Sequence, residues 1–116
     1  MTISISFDQA LDVLRGAVIE SVRADLRDLT QRQMAVVLSV YLSSNPLTVR
    51  ALAADLDVGK PAITRALDRL EALELIKRMI DIRDKRSIII GRTVAGTVYL
   101  REIADRIVHA ASNSTY

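Results

Sequence analysis

Between Thr64 and Arg69 the chain places a hydroxyl, a carboxylate and two guanidiniums: Thr64, Arg65, Asp68 and Arg69. At helical spacing these share one face. Ile63, Leu67, Leu70 and Leu73, at steps of four, three and three, form an apolar stripe on the other. Guanidiniums and hydroxyls match base edges and phosphate oxygens, so a short helix with this front and an apolar back suits the major groove of duplex DNA. A solvated surface helix can carry the same pattern, so the flanking sequence has to decide. Other chemistries find little support. There is no cysteine, and the one histidine, His109, has no companion near it in sequence. No Ser–His–Asp set and no glycine-rich phosphate loop occurs, Asp81 and Asp84 stand among arginines, and Asp55 and Asp57 lack further ligands nearby. The expectation is no enzyme, no metal and no cofactor.

The charge distribution supports a polyanion partner. The 116 residues carry a net charge of only +2. Residues 59–92, however, hold nine basic side chains (Lys60, Arg65, Arg69, Lys77, Arg78, Arg83, Lys85, Arg86, Arg92) against five acidic ones, while residues 1–58 have a small acidic excess. None of the four aromatic residues (Phe7, Tyr41, Tyr99, Tyr116) lies in that basic third, which argues against a stacking platform for single strands. No apolar run reaches membrane-spanning length and no signal-peptide start is present, so a cytoplasmic protein without a membrane partner is expected.

The elements that must position these residues follow from periodicity. One domain over residues 1–116 is expected from the length. Met1–Ser6 reads as a flexible or edge segment. A helix over 8–28, started by Asp8, carries Phe7, Leu11, Leu14, Val18 and Val22 along one side, with Leu26 extending the stripe. It is too long for so small a domain to cover, and the stripe suits packing against a helix of a second chain. Thr30 and Gln33 form a capping-box pattern before an apolar helix, Gln31–Ser43. Leu47 opens a short extended piece, and Thr48 caps a helix over Val49–Leu56. Asp57 and Val58 turn into a helix over 61–73, with Pro61 at its first position and Lys60 the last non-helical residue. Two short helices joined in this way make a helix-turn-helix. Leu75–Ile80 and Ser87–Gly91 then read as strands of a β-hairpin around the charged hexapeptide Asp81–Arg86. A hairpin in that place is a wing, and arginine on a thin loop suits the electronegative minor groove. Thr93 caps a last helix over 94–111 with Leu100, Ile103 and Ile107 on its stripe. The fold class is therefore mainly α with a small β-hairpin wing, a winged helix-turn-helix.

Several of these segments resemble one family. Leu47-Thr48-Val49, Ala51-Leu52-Ala53, Asp68-Arg69-Leu70-Glu71, Leu75-Ile76-Lys77-Arg78, the wing Asp81-Ile82-Arg83-Asp84-Lys85-Arg86 and Thr93-Val94-Ala95-Gly96 resemble the MarR-type winged-helix repressors. The likeness covers about residues 30–96. It implies a homodimer on palindromic DNA, joined through helices from both chain ends. It also implies a recognition helix at Pro61–Leu73, a wing tip at Arg83–Arg86, and Asp84 and Arg86 bracing the wing. The chain departs from the family pattern in four places. Asp57 and Glu74 stand where glycines are usual. Gly59, Pro61 and Ala62 replace a serine- and threonine-rich helix start, and the run to Arg65 is closer to a LysR-type recognition helix. The chain is short for the family, without the usual second C-terminal dimerisation helix, so whether a small-molecule effector is sensed stays open.

The reading is a homodimeric, sequence-specific, double-stranded-DNA-binding transcriptional regulator, a repressor. It reads the major groove with helix 61–73 and the minor groove with wing 81–87. The expected DNA-binding residues are Lys60, Pro61, Ala62, Thr64, Arg65, Asp68, Arg69, Lys77, Arg78, Arg83, Lys85 and Arg86. The expected dimerisation residues are Phe7, Leu11, Leu14, Val18, Leu100, Ile103 and Ile107. The alternative is a winged-helix module that dimerises and binds a protein without specific DNA binding.

Overall fold

A computed structural model describes residues 3–116. Of the expected terminal segment Met1–Ser6, Met1 and Thr2 lie outside the described residues. The elements run α1 (Phe7–Arg23), α2 (Gln31–Leu42), β1 (Leu47–Thr48), α3 (Val49–Leu56), α4 (Lys60–Ala72), β2 (Ile76–Ile80), β3 (Ile88–Arg92) and α5 (Val94–Ser112). They fall into two compact units, one of residues 28–97 and one of residues 1–27 with 98–116.

In the unit 28–97 the helices start where side-chain oxygens meet backbone donors. The Thr30 hydroxyl accepts the Gln33 N–H at 3.1 Å while the Gln33 side chain accepts the Thr30 N–H at 3.0 Å. The Thr48 hydroxyl accepts the Ala51 N–H, which starts α3 as expected. The sheet has the order β1-β3-β2, antiparallel throughout, with Ile80 opposite Ile88 and Arg78 opposite Ile90. The short extended piece at Leu47 proves to be its third strand, pairing Leu47 with Ile90. The core is made by Val36, Val37 and Val40 of α2, Leu52 of α3, Ile63, Ala66, Leu67 and Leu70 of α4, then Leu75, Ile76 and Ile90.

Three helices end in the same way, and the sequence hides the first of them. Asp25, Asp57 and Glu74 adopt left-handed φ values of 55°, 54° and 63° just past α1, α3 and α4. The next residue in each case is apolar and donates its N–H five residues back: Leu26 to Ser21, Val58 to Ala53, Leu75 to Leu70. This is the Schellman arrangement that glycine normally serves. It also corrects the first helix: Leu26 does not extend α1, because the chain turns at Asp25, and the helix covers 7–23 in place of 8–28. Its cap is Ser6, whose hydroxyl accepts the Gln9 N–H, and not Asp8.

The unit 1–27 with 98–116 holds α1 and most of α5. Gly16 lies against Ala110, where an added Cβ would come within 3.0 Å of the alanine Cβ. Glu20 Oε1 meets His109 Nδ1, a partner for the histidine that lies 89 residues away in sequence. The Tyr99 hydroxyl donates to the Arg27 carbonyl at 3.1 Å. Only Ala17, Tyr99 and Ala110 are buried here among the described residues.

Candidate nucleic-acid interface

The two faces of α4 separate as the spacing predicts. Ile63, Ala66, Leu67 and Leu70 are buried, and Thr64, Arg65, Asp68 and Arg69 are exposed on the front. Leu73, expected on the stripe, is only half-buried because the helix ends at Ala72. Among the described residues the side chains of Lys60, Thr64, Arg65 and Arg69 carry no hydrogen bond or ion pair. Lys60 is helical, a correction to its expected place outside the helix. Proline at the second position removes an N–H that no helical carbonyl would have accepted, so the helix can begin one residue earlier. Gly59 is the cap and supplies no side-chain oxygen. The first turn thus offers Lys60 and a positive helix end without a protein acceptor, which suits a phosphate oxygen.

Arg78 departs from the expected free cation. Its guanidinium meets Asp68 Oδ1 at 2.8 Å and Glu71 Oε1 at 2.7 Å, and its backbone N–H donates to Glu71 Oε2 at 3.0 Å. These bonds tie the first strand of the wing to the last two turns of α4. The Arg78 N–H first, then its guanidinium, holds the Glu71 carboxyl below its usual range. Two carboxylates hold the Arg78 proton more firmly in return. Lys77, its neighbour on the other face of the strand, is exposed and has no ion pair among the described residues.

The wing loop 81–87 is built by two aspartates turned inward. Asp81 Oδ1 accepts the Arg83 N–H at 2.9 Å, and Asp84 Oδ1 accepts the Arg86 N–H at 3.1 Å. Asp84 Oδ2 takes the Ser87 hydroxyl at 3.3 Å, and the Asp81 N–H closes the loop on the Ser87 carbonyl at 3.0 Å. The bond from Arg86 is the main reason the Asp84 carboxyl sits below its usual range. With both acids occupied, Arg83, Lys85 and Arg86 project into solvent. Asp84 and Arg86 do meet, at 3.4 Å through Nε, although the Arg86 side chain stays almost wholly exposed.

A second set of residues positions the wing, and sequence reasoning passed over it. The Tyr41 hydroxyl donates to the Leu75 carbonyl at 2.7 Å and accepts the Thr93 N–H at 2.9 Å. The Thr93 hydroxyl donates to the Glu74 carbonyl at 2.7 Å and accepts the Gly96 N–H at 2.9 Å. Gly96 is required there, because a Cβ would overlap the Tyr41 hydroxyl and the Leu75 carbonyl. The Arg92 guanidinium lies over the Tyr41 ring and donates to the Ser43 carbonyl at 2.8 Å, so this cation of the basic third serves the fold. The only sequence signal for this knot was the cap at Thr93; its bonds between elements span 19 to 52 residues.

The expected dimerisation residues divide. Phe7, Leu11, Leu14, Val18 and Ile107 are exposed, Phe7 to 78%, whereas Leu100 and Ile103 are half-buried within their own chain. Among the described residues no three His, Cys, Asp or Glu side chains gather as a metal site, and no helix is long and apolar enough to cross a membrane.

Comparison with known proteins places the chain. The model of the MarR family matches residues 29–88. No curated protein sequence matches. Among solved structures, the chain is similar to transcriptional regulator Tm0710 from Thermotoga maritima, with a TM-score of 0.73 and 22% identity over 86% of this chain and 68% of that one. It is similar to S. aureus MepR in a complex with DNA, with a TM-score of 0.70 and 23% identity over 86% of this chain and 79% of that one. YusO from Bacillus subtilis gives a TM-score of 0.69 and 24% identity over 90% and 72%. TM-scores of this order show a shared fold, and identities of this order carry nothing beyond it.

Proposed function

The chain belongs to the MarR family of winged-helix transcription regulators, and from that premise we propose that it is a homodimeric, sequence-specific double-stranded-DNA-binding repressor. The observation that carries the reading is the front of α4, where Thr64, Arg65 and Arg69 stand exposed and unpaired opposite a fully buried back. Lys60 and Lys77 bind phosphates, and Ala62, Thr64, Arg65 and Arg69 read base edges. Pro61 sets the first turn, Asp68 and Arg78 hold the wing strand to the helix, and Arg83, Lys85 and Arg86 enter the minor groove. Phosphate contacts position such a protein and base contacts specify its site. The DNA-bound state of MepR supports duplex DNA as the partner by likeness of fold.

The dimer rests on the open stripe Phe7, Leu11, Leu14 and Val18 of α1 together with Leu100, Ile103 and Ile107 of α5. A contiguous apolar face of this kind marks an interaction surface. Two copies present two recognition helices to a palindromic site.

Arg65→Ala tests the reading. It should weaken binding to a selected duplex by about 1–3 kcal/mol and relax base preference at one position per half-site. Wild-type affinity should also fall steeply with salt, since each neutralised phosphate releases counterions. Affinity insensitive to both Arg65 and salt would favour a protein partner on this face and overturn the proposal.

A further inference from the structure

The wing tip carries one side chain that its architecture does not need. Ile82 is 91% exposed, the most open large apolar side chain among the described residues. It sits between Asp81, which closes the loop, and Arg83, whose N–H the Asp81 carboxylate holds. A β-branched residue brings no turn-forming property to such a loop; glycine, proline, asparagine, aspartate and serine do. Nor is it a lone surface apolar residue. The cross-strand pair Ile80 and Ile88 at the loop's base is exposed as well. The two aspartates are turned into the backbone, so what the tip presents outward is one isoleucine flanked by Arg83, Lys85 and Arg86.

An exposed apolar side chain on a loop that also presents three cations fits one occupant, the minor groove. Its backbone edges are anionic, and its interior meets apolar side chains that contact it without hydrogen bonds. The groove floor differs between base pairs in a single respect: A·T pairs show only acceptors, whereas G·C adds the guanine N2 amino donor. Isoleucine has no acceptor. Pressed on that amino group it would strip its water and return nothing, a penalty absent at A·T. We infer that Ile82 is a specificity-determining residue, excluding G·C pairs from the minor-groove steps under the wing by leaving the guanine amino group unsatisfied. This inference rests on the DNA-binding reading above. It assigns discrimination to the apolar residue, while the arginines supply attraction that is largely indifferent to the base.

Inosine separates the two contributions, because an I·C pair lacks the minor-groove N2 amino group yet keeps the same major-groove edge as G·C. Duplexes are selected from a random pool with the full chain, and the wing-facing steps are located by protection of adenine N3 from methylation. Each such step is then built as A·T, I·C or G·C. The wild type should bind the A·T and I·C versions alike and the G·C version roughly fivefold or more weakly. Ile82→Ala should bring G·C to within about twofold of I·C, whereas Arg83→Ala should weaken all three versions together. Ile82 is exposed, so neither result depends on a folding defect. Equal wild-type affinity for G·C and I·C overturns the inference and leaves DNA binding standing. A gap that persists in Ile82→Ala overturns it too, as does an Ile82→Ala change confined to self-association. Failure of the wild type to select any duplex overturns the underlying reading as well.

Discussion

Leu67 and Leu14 are the same side chain in the same kind of element, a helix with an apolar stripe, yet Leu67 is wholly buried and Leu14 is 60% exposed. The difference extends to their units. Residues 28–97 close their own core, with apolar side chains from α2, α3, α4 and the sheet all out of solvent. The unit of residues 1–27 and 98–116 buries little and leaves Phe7, Leu11, Leu14, Val18 and Val22 open along α1. One unit closes its own core and carries the basic surface; the other leaves an apolar helix face open to solvent. An apolar stripe in a sequence therefore marks a helix face that favours cover, but not whether its own chain supplies that cover.

The most direct way to break this contrast is to make one change in both places. Leu67→Ala should destabilise the fold by about 2–5 kcal/mol, the range for a buried leucine that leaves a cavity. That loss should be the same at every protein concentration. Leu14→Ala should act through association: sedimentation should shift toward monomer, and the denaturation midpoint should lose its dependence on protein concentration. Should the wild type sediment as a monomer, with Leu14→Ala within about 0.5 kcal/mol of it, the open face would have no second copy to receive.

Much of the complete unit was legible because its determinants are local. The caps at Thr30 and Thr48, the apolar back of α4 and the basic loop between two β-branched runs all sit within a few residues of what they control. What escaped is long-range or hidden by residue type. The Tyr41–Leu75–Thr93–Gly96 knot joins segments far apart, so no periodicity announces it. Arg78 carries the same charge as Lys77, and only the fold distinguishes a guanidinium held by Asp68 and Glu71 from a free cation. The helix end at Asp25 was obscured because an acid does the work usually given to glycine, and Leu26 then mimics one more turn of stripe.

Those left-handed acids give a smaller, sharper test. Glu74 has φ 63° between α4 and β2, a region that costs a residue with a Cβ roughly 1–2 kcal/mol. Aspartate is relieved there by its short polar side chain, and glutamate less so. Glu74→Gly should therefore stabilise the unit 28–97 by about 1 kcal/mol, seen as a higher denaturant midpoint with an unchanged slope. Asp25→Gly, at the end of α1, should gain less. Equal gains at the two positions would show that the conformation, and not the side chain's fit to it, sets the cost.

Acid should distinguish the units by the smallest effect, since the groups concerned are largely exposed and screened. Glu71 and Asp84 are held below their usual range by N–H bonds from Arg78 and Arg86, and Asp12 in the other unit chiefly by the Ser114 hydroxyl. A carboxyl with a lowered folded pKa contributes stability that is complete above its ordinary value, 4.5 for glutamate and 3.8 for aspartate, and lost as pH falls through the folded value. Stability should thus be flat with respect to these groups above about pH 5 and decline below about pH 4. Glu71→Gln should lower the midpoint slightly at pH 7 and make the acid decline shallower, because the clamp on Arg78 no longer titrates. Its DNA affinity should fall with it, since α4 and the wing strand are then tied chiefly through Asp68 alone. Asp12→Asn should flatten the same decline while leaving DNA affinity at pH 7 unchanged. If Glu71→Gln instead declines in parallel with the wild type, the Glu71 charge adds nothing to the folded state, and wing placement depends on the Asp68–Arg78 pair and the Tyr41 knot.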